Sequence, residues 1–194
     1  MFTGIIEYKT KAKKIKKEDK SMCLTLPIPK GWQVYEGESI SIDGICSTVF
    51  RKTLEDFSVY YMEETLSKTN VSDIDSNHEF NLEQSLTLNK FIGGHLVSGH
   101  IDTIGEVILV NQRKDSTVIK IRFPKKFSRY LIYKGSVAVN GISLTIVNAG
   151  KNYFSIALIP YTLEKTNLGS SKKGDLVNLE FDLVAKYLEK LAKK

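Results

Sequence analysis

Short runs in which apolar and polar residues alternate, separated by turn residues, recur along the chain at nearly regular intervals. Ser39-Ile40-Ser41-Ile42 sets its isoleucines on one side of an extended backbone, and Ser136-Val137-Ala138-Val139 does the same with valines. Side chains of a strand point to opposite faces in turn, so each run predicts a strand with one buried face. Asp43-Gly44 and Asn140-Gly141 follow directly, and such dipeptides favour the positive φ of a tight hairpin turn. Met22 to Leu26 and Val118 to Phe123 alternate too, closed by Pro29 and Pro124, and Phe57 to Tyr61 and Phe154 to Ile159 add another pair. Thr65 to Asn70 and Thr162 to Asn167 each read as one helical turn.

The elements come in pairs because the chain repeats itself. Shifted by 97 positions, Ser39 to Glu83 aligns with Ser136 to Glu180 without a gap, and 14 of the 45 pairs are identical. Chance matching at average composition gives roughly three. Before Pro29 and Pro124 the offset becomes 95, and the match runs back to Phe2-Thr3-Gly4-Ile5-Ile6-Glu7 and Val97-Ser98-Gly99-His100-Ile101-Asp102. Residues 1–88 and 89–181 are therefore expected to form two domains of one kind. About six short strands in a span of roughly 90 residues point to a barrel, because a lone sheet leaves its edges unpaired. The expected fold is all-β, with two tandem, similar, six-stranded closed barrels. Residues 182–194 have no counterpart in the first copy. There Leu183, Val184, Tyr187, Leu188 and Leu191 form one apolar stripe of an amphipathic helix, with Asp182 placed to cap its start and lysines at its end. The stripe can pack on its own domain or join partner helices in an oligomer, and the sequence leaves both open.

Composition narrows the class. Hydrophobic content of 42% and charged content of 26% describe a globular chain, not a disordered or membrane one. No apolar run approaches the roughly 18 residues of a spanning helix. The first residues lack the basic and apolar segments of a secretory signal, so a cytoplasmic location is expected. The net charge of +6 gathers between Lys9 and Lys20 and at Lys186, Lys190, Lys193 and Lys194. No aromatic residue lies among the lysines from Lys9 to Lys20, and both groups read as solvated faces, so nucleic acid is not expected as a partner. Cys23 and Cys46 are too few for a disulfide framework or a clustered zinc site.

The densest candidate chemistry lies between Phe91 and Asp102. His95, His100 and Asp102 match no familiar zinc spacing and lack a fourth ligand, so no metal is expected. Gly93-Gly94 and Gly99 do not lead into a helix as a phosphate-binding loop does. His78, in the polar run Ser72 to Glu79, reads as a solvated loop residue, and the adjacent Glu63 and Glu64 point to different sides. More telling are the residues after each turn glycine, Cys46 and Thr48 in one copy and Ser143 and Thr145 in the other. These small donors and acceptors suit the edge of a heteroaromatic ring. The copies differ where chemistry needs them to: Cys46 faces Ser143, and Ile5 faces His100, a titratable imidazole without a counterpart. Two similar but unequal pockets can give two identical molecules different chemical roles.

Met1-Phe-Thr-Gly-Ile5, Gly93-Gly-His-Leu-Val-Ser-Gly-His100, Asn140-Gly-Ile-Ser-Leu-Thr145 and Ile159-Pro-Tyr-Thr-Leu-Glu164 together resemble the riboflavin synthases of the alpha-chain type, lumazine-binding tandem barrels. The resemblance spans the chain. It implies a homotrimer assembled by the terminal helix, and a transferase reaction in which two 6,7-dimethyl-8-ribityllumazine molecules dismutate to riboflavin and 5-amino-6-ribitylaminouracil by transfer of a four-carbon unit. It implies no metal or organic cofactor. The active site would lie between the first barrel of one subunit and the second of its neighbour, and association with the lumazine-forming enzyme is conceivable.

Carried over by position, the first pocket would use Gly4, Ile5, Ile6, Ser39, Cys46, Ser47, Thr48, Tyr60, Tyr61, Met62, Glu63, Glu64 and Thr65. The second would use Gly99, His100, Ile101, Lys134, Ser143, Leu144, Thr145, Leu158, Ile159, Pro160, Tyr161, Thr162 and Leu163. His100 and Ser143, with Thr145, would move the methyl proton. Cys46 and Thr48 would help add a nucleophile to the acceptor ring. Tyr60 stands where an Asp is usual for holding the ribityl chain, Ser47 where Leu is usual and Asn140 where Asp is common. The alternative is a non-catalytic lumazine or flavin carrier, but such relatives have lost parts of one pocket and here both are furnished.

Overall fold

The computed structural model describes residues 1–192 and is built almost wholly of antiparallel strands, with the two copies following the same plan. In the first copy the strands are β1 (Tyr8–Lys11), β2 (Lys14–Glu18), β3 (Ser21–Pro27), β4 (Ser39–Ile42), β5 (Ile45–Lys52), β6 (Asp56–Met62) and β7 (Glu79–Gln84), with α1 (Glu63–Lys68) after β6. In the second they are β8 (Thr103–Gln112), β9 (Thr117–Arg122), β10 (Ser136–Val139), β11 (Ile142–Ala149), β12 (Tyr153–Leu158) and β13 (Leu176–Phe181), with α2 (Pro160–Lys165) after β12. The chain ends in α3 (Leu183–Ala192).

The second copy closes as the barrel β10-β11-β12-β9-β8-β13. The first keeps the same neighbours in the order β1-β7-β4-β5-β6-β3-β2, but against the expectation of a second six-stranded closed barrel it is a seven-stranded sheet whose ends, β1 and β2, are the two parts of one divided strand. Where β8 turns the barrel corner through a bulge between Val107 and Leu109, the first copy breaks between Lys11 and Lys14. One backbone bond, from Lys13 N–H to the Thr25 carbonyl at 2.9 Å, spans the break.

Alternation does what it predicts. Met22, Leu24 and Leu26 on β3 point inward with Ile40, Ile42, Phe57, Val59, Phe80 and Leu82, forming one core. Ile119, Ile121, Val137, Val139, Phe154, Ile156, Leu179 and Phe181 form the other. Each fully buried side chain of this size contributes about 1.5–3 kcal/mol. Between the cores, Asp43 (φ 48) and Gly44 (φ 80) turn β4 into β5, and Asn140 (φ 46) and Gly141 (φ 79) turn β10 into β11. The two turns meet tip to tip: a Cβ on Gly44 would lie 2.7 Å from the Gly141 nitrogen.

Around this contact runs a buried amide lattice. Asn81 Nδ2 donates to the Asn140 carbonyl and Asn178 Nδ2 to the Asp43 carbonyl, both at 3.0 Å. The Asn70 and Asn167 N–H groups donate to Asn178 and Asn81 side chains at 2.8 Å. Buried amides must be paired, and here each finds its partner in the other copy.

α3 begins as its sequence predicts, with the Val184 N–H donating to Asp182 Oδ1 at 2.9 Å. Two ion pairs tie it to its own barrel: Lys186 meets Asp102 at 2.6 Å and Arg129 meets Glu189 at 2.9 Å. Val184, Tyr187, Leu188 and Leu191 stay exposed. Of the two fates the sequence left open, packing on this chain is met by Leu183 alone, which is half-buried, and the rest of the stripe is left uncovered. Lys193 and Lys194 lie outside the described residues.

Candidate active site

On β5, Ile45 and Val49 point into the barrel core, so Cys46 and Thr48 face outward. β11 repeats this, with Ile142, Leu144 and Ile146 inward and Ser143 and Thr145 outward. Ser39 is paired with Thr48 and Ser136 with Thr145, which adds a hydroxyl to each outer face. Tyr60 and Met62 extend the first face, and Ile159 the second. The same alternation turns four of the expected residues the other way. The side chains of Ser47, Tyr61, Leu144 and Leu158 turn toward the barrel interiors, not the open side. Ser47 Oγ donates to the Ile45 carbonyl at 2.9 Å and bonds Tyr61 Oη at 2.7 Å, a buried pair in which desolvation drives the phenol's pKa up.

The glycine loops are exchanged between the copies, contrary to the expected grouping. Gly4 and Ile6 were assigned to the first pocket by position. The Gly4 carbonyl instead accepts from the Ser143 N–H at 2.8 Å, and Ile6 packs on the second core. Reciprocally, the Gly99 carbonyl accepts from the Cys46 N–H at 2.8 Å, and Ile101 packs on the first core. The cause is an antiparallel pairing of Phe2 with Val97, which lays the two starting segments side by side and carries each onto the other copy. Phe2, Val97 and Ala138 bury one another beneath this crossing. Both loop glycines have positive φ, +75 at Gly4 and +83 at Gly99, and a Cβ on either would lie 2.6 Å from the facing Ser143 or Cys46 Cβ. Only glycine lets the backbone come this close.

This exchange also reassigns the histidines. His100 is exposed on the Gly99 loop, on the Cys46 side. Within the chain the imidazole beside Ser143 is His95, whose Nδ1 lies 2.7 Å from Ser143 Oγ. Burial lowers the His95 pKa and the Asp182 charge only partly opposes it, so the ring is neutral at pH 7. A neutral imidazole bonded to a hydroxyl is a proton-transfer pair. His95 Nε2 is buried and has no hydrogen-bond partner among the described residues. The sequence weighed His95 only as a metal ligand, and its place ahead of Val97, where the match to the first copy begins, gave it no repeat partner to mark it. Among the described residues no group of three or more His, Cys, Asp or Glu is placed to hold a metal.

Glu63, Glu64 and Thr65 open α1, and Pro160, Tyr161, Thr162 and Leu163 lie in α2, at equivalent rims. Lys134 holds a left-handed φ of 64 where the first copy has Gly37 at φ 88. Tyr60, in the place of the usual Asp, donates from Oη to Ser21 Oγ at 2.6 Å and sets its ring edge against Phe50. Both faces are open: Met62 is 69% exposed and Tyr161 67%.

A separate cleft of about 730 Å³ lies away from these faces, between the copies, lined by Asp73, Asp75, His78, Glu79 and Asp175 among others. His78 is no solvated loop residue. Its Nε2 bonds the buried Asp43 carboxylate at 2.6 Å and its ring edge meets Phe80. Burial works to lower its pKa, but the Asp43 bond and the charges of Asp43, Asp75 and Asp175 outweigh it and raise it.

Two stretches, residues 3–85 and 98–182, match a family model described as a lumazine binding domain. The riboflavin synthase of Actinobacillus pleuropneumoniae is 41% identical over 195 residues, covering all of this chain and 91% of that protein. This chain belongs to the riboflavin synthase family. The Bacillus subtilis riboflavin synthase is 34% identical over the same extent, and that of Mycobacterium tuberculosis strain H37Rv 38% identical over 98% of both chains. A crystal structure of LumP complexed with 6,7-dimethyl-8-(1'-D-ribityl) lumazine shares the fold, with a TM-score of 0.84, 24% identity, and coverage of 93% of this chain and 98% of that one. LumP complexed with riboflavin superposes with a TM-score of 0.86 at 23% identity. Membership in the riboflavin synthase family was legible from the glycine, histidine and Asn140 to Thr145 motifs, whereas which barrel each glycine loop serves was not.

Proposed function

We propose that the chain is a riboflavin synthase, converting two 6,7-dimethyl-8-ribityllumazine molecules into riboflavin and 5-amino-6-ribitylaminouracil. The observation carrying this reading is the Ser143 hydroxyl bonded to the neutral His95 imidazole on one face, opposite a matching face where Cys46 takes the serine's place. One lumazine lies at each face, with Gly4 to Ile6 along the second and Gly99 to Ile101 along the first. At the second, Ser143 and His95 take a proton from the acidic ring methyl. At the first, Cys46 and Thr48 guide a nucleophile onto the acceptor ring.

The atoms of two lumazines equal those of the two products, so the exchange needs no oxidant or reductant. Holding two reactants in contact supplies effective molarities of roughly 10⁵ M or more. A first face of one subunit set against the second face of its neighbour achieves this, and brings His100 of one copy to Ser143 of the other. That arrangement covers the open rims, and a homotrimer joined through the exposed stripe of α3 provides it. Residues 1–88 and 89–181 act as the two lumazine-binding units and residues 182–194 as the assembly element, in a cytoplasmic enzyme. Association with the lumazine-forming enzyme is compatible with this reading.

The test is direct. Purified protein mixed with the lumazine should yield riboflavin and the pyrimidine in equal amounts, read by absorbance and chromatography. Lumazine bound stably without product would establish the carrier instead.

A further inference from the structure

Each glycine loop is held by a buried carboxylate of its own barrel while it serves the other. Glu83, on β7 and fully buried, accepts from the Thr3 N–H at 2.8 Å, the Thr3 hydroxyl at 2.6 Å and the Gly4 N–H at 2.9 Å. Glu180, on β13, accepts from the Ser98 N–H at 2.6 Å, the Ser98 hydroxyl at 2.7 Å and the Gly99 N–H at 2.8 Å. The next groups along the backbone are the Gly4 and Gly99 carbonyls, which take the N–H groups of Ser143 and Cys46 in the opposite barrels.

We infer that Glu83 and Glu180 are crossed positioning residues: Glu83, in the first barrel, sets the pocket at Ser143, and Glu180, in the second, sets the pocket at Cys46. The inference rests on the reading that these two faces bind the ligands. A carboxylate is suited to the task because two oxygens receive three donors from adjacent residues, fixing both position and direction of the loop. Glutamine keeps the shape but turns an N–H toward an N–H, so at least one donor loses its acceptor and the loop loses its anchor. The two acids differ in one respect: Lys90 Nζ lies 3.3 Å from Glu83, whereas Lys186 beside Glu180 is bonded to Asp102.

The experiment uses riboflavin as the probe and the full chain throughout. Thr48→Trp fills the first face and Thr145→Trp the second, leaving one binding site open in each background, read by quenching of flavin fluorescence. Glu83→Gln is expected to weaken riboflavin about tenfold when only the second face is open, and by less than twofold when only the first is open. Glu180→Gln is expected to do the reverse. Loss at the acid's own barrel, equal loss at both faces, or loss at neither would overturn the crossing, since a merely structural acid harms the barrel in which it sits. If neither tryptophan removes a site, the assignment of the faces fails first and takes this inference with it. Should Glu83→Gln not fold by thermal melting, Thr3→Val, which deletes the hydroxyl end of the same clamp, must show the same selectivity for the second face.

Discussion

The first and second barrels share strand order, turn geometry and glycine loops, yet they differ wherever a difference has chemical weight. The second face has a hydroxyl bonded to a neutral imidazole, and the first has a thiol with no histidine bonded to it. The second barrel closes through one continuous strand, whereas the first is left a seven-stranded sheet that ends in the two parts of a divided one. At the junction, Asp43 and His78 make a charged pair where the second copy has Asn140 and Asp175. Duplication thus supplied two scaffolds of one kind, and a few substitutions made their outer faces chemically unequal.

The strongest way to break the comparison is to remove its chemistry on one side. Ser143→Ala should lower kcat about 100-fold or more, while lumazine binding at the first face persists. Steady-state turnover beside equilibrium binding checks this, and near-normal turnover would end the role given to Ser143. His95→Gln should come next, with kcat down roughly tenfold or more and KM little changed. His100→Gln tests the second imidazole, since normal turnover there would confine proton transfer to His95. Cys46→Ser gives the two faces the same residue at this position. About a tenfold fall in turnover is expected, because a hydroxyl is less readily ionised and a far weaker nucleophile than a thiol. Full activity would show the thiol to be dispensable.

Smaller effects sharpen the comparison. Lys134→Gly gives the second copy the residue that the first has at this left-handed position. Stability should rise by about 1 kcal/mol as the backbone penalty disappears, and lumazine affinity at the second face should fall. Chemical denaturation and binding separate the two effects. The weakest signal is electrostatic. The His78 pKa is raised in the folded chain, so its pairing with Asp43 stabilises fully below the ordinary value of 6.5 and fades as the pH rises through the raised one. Melting temperature should therefore decline across that window, and His78→Asn should remove the decline.

Much of the fold was legible because its signals are local. The 97-residue offset, the Asp43-Gly44 and Asn140-Gly141 turns and the alternating strands each depend on neighbours in sequence. The outward placing of Cys46, Thr48, Ser143 and Thr145 was legible from strand alternation, but which loop borders each face was not. Whether Gly4 serves the near or the far barrel depends on the bridge of Phe2 to Val97, a contact made by tertiary packing. Ser47 and Tyr61 entered the expected set as members of contiguous runs, although strand alternation alone points them inward. His78 looked like a loop residue because its partner lies 35 positions away.

The meeting of the two hairpin tips has a mechanical meaning. Gly44 and Gly141 touch where the two copies are related to each other, so they act as a pivot pin without clearance. A single methyl group added to either would act as a shim, tilting one barrel against the other and shifting both ligand faces at once. The spacing of two distant sites is thereby gauged by the absence of two side chains.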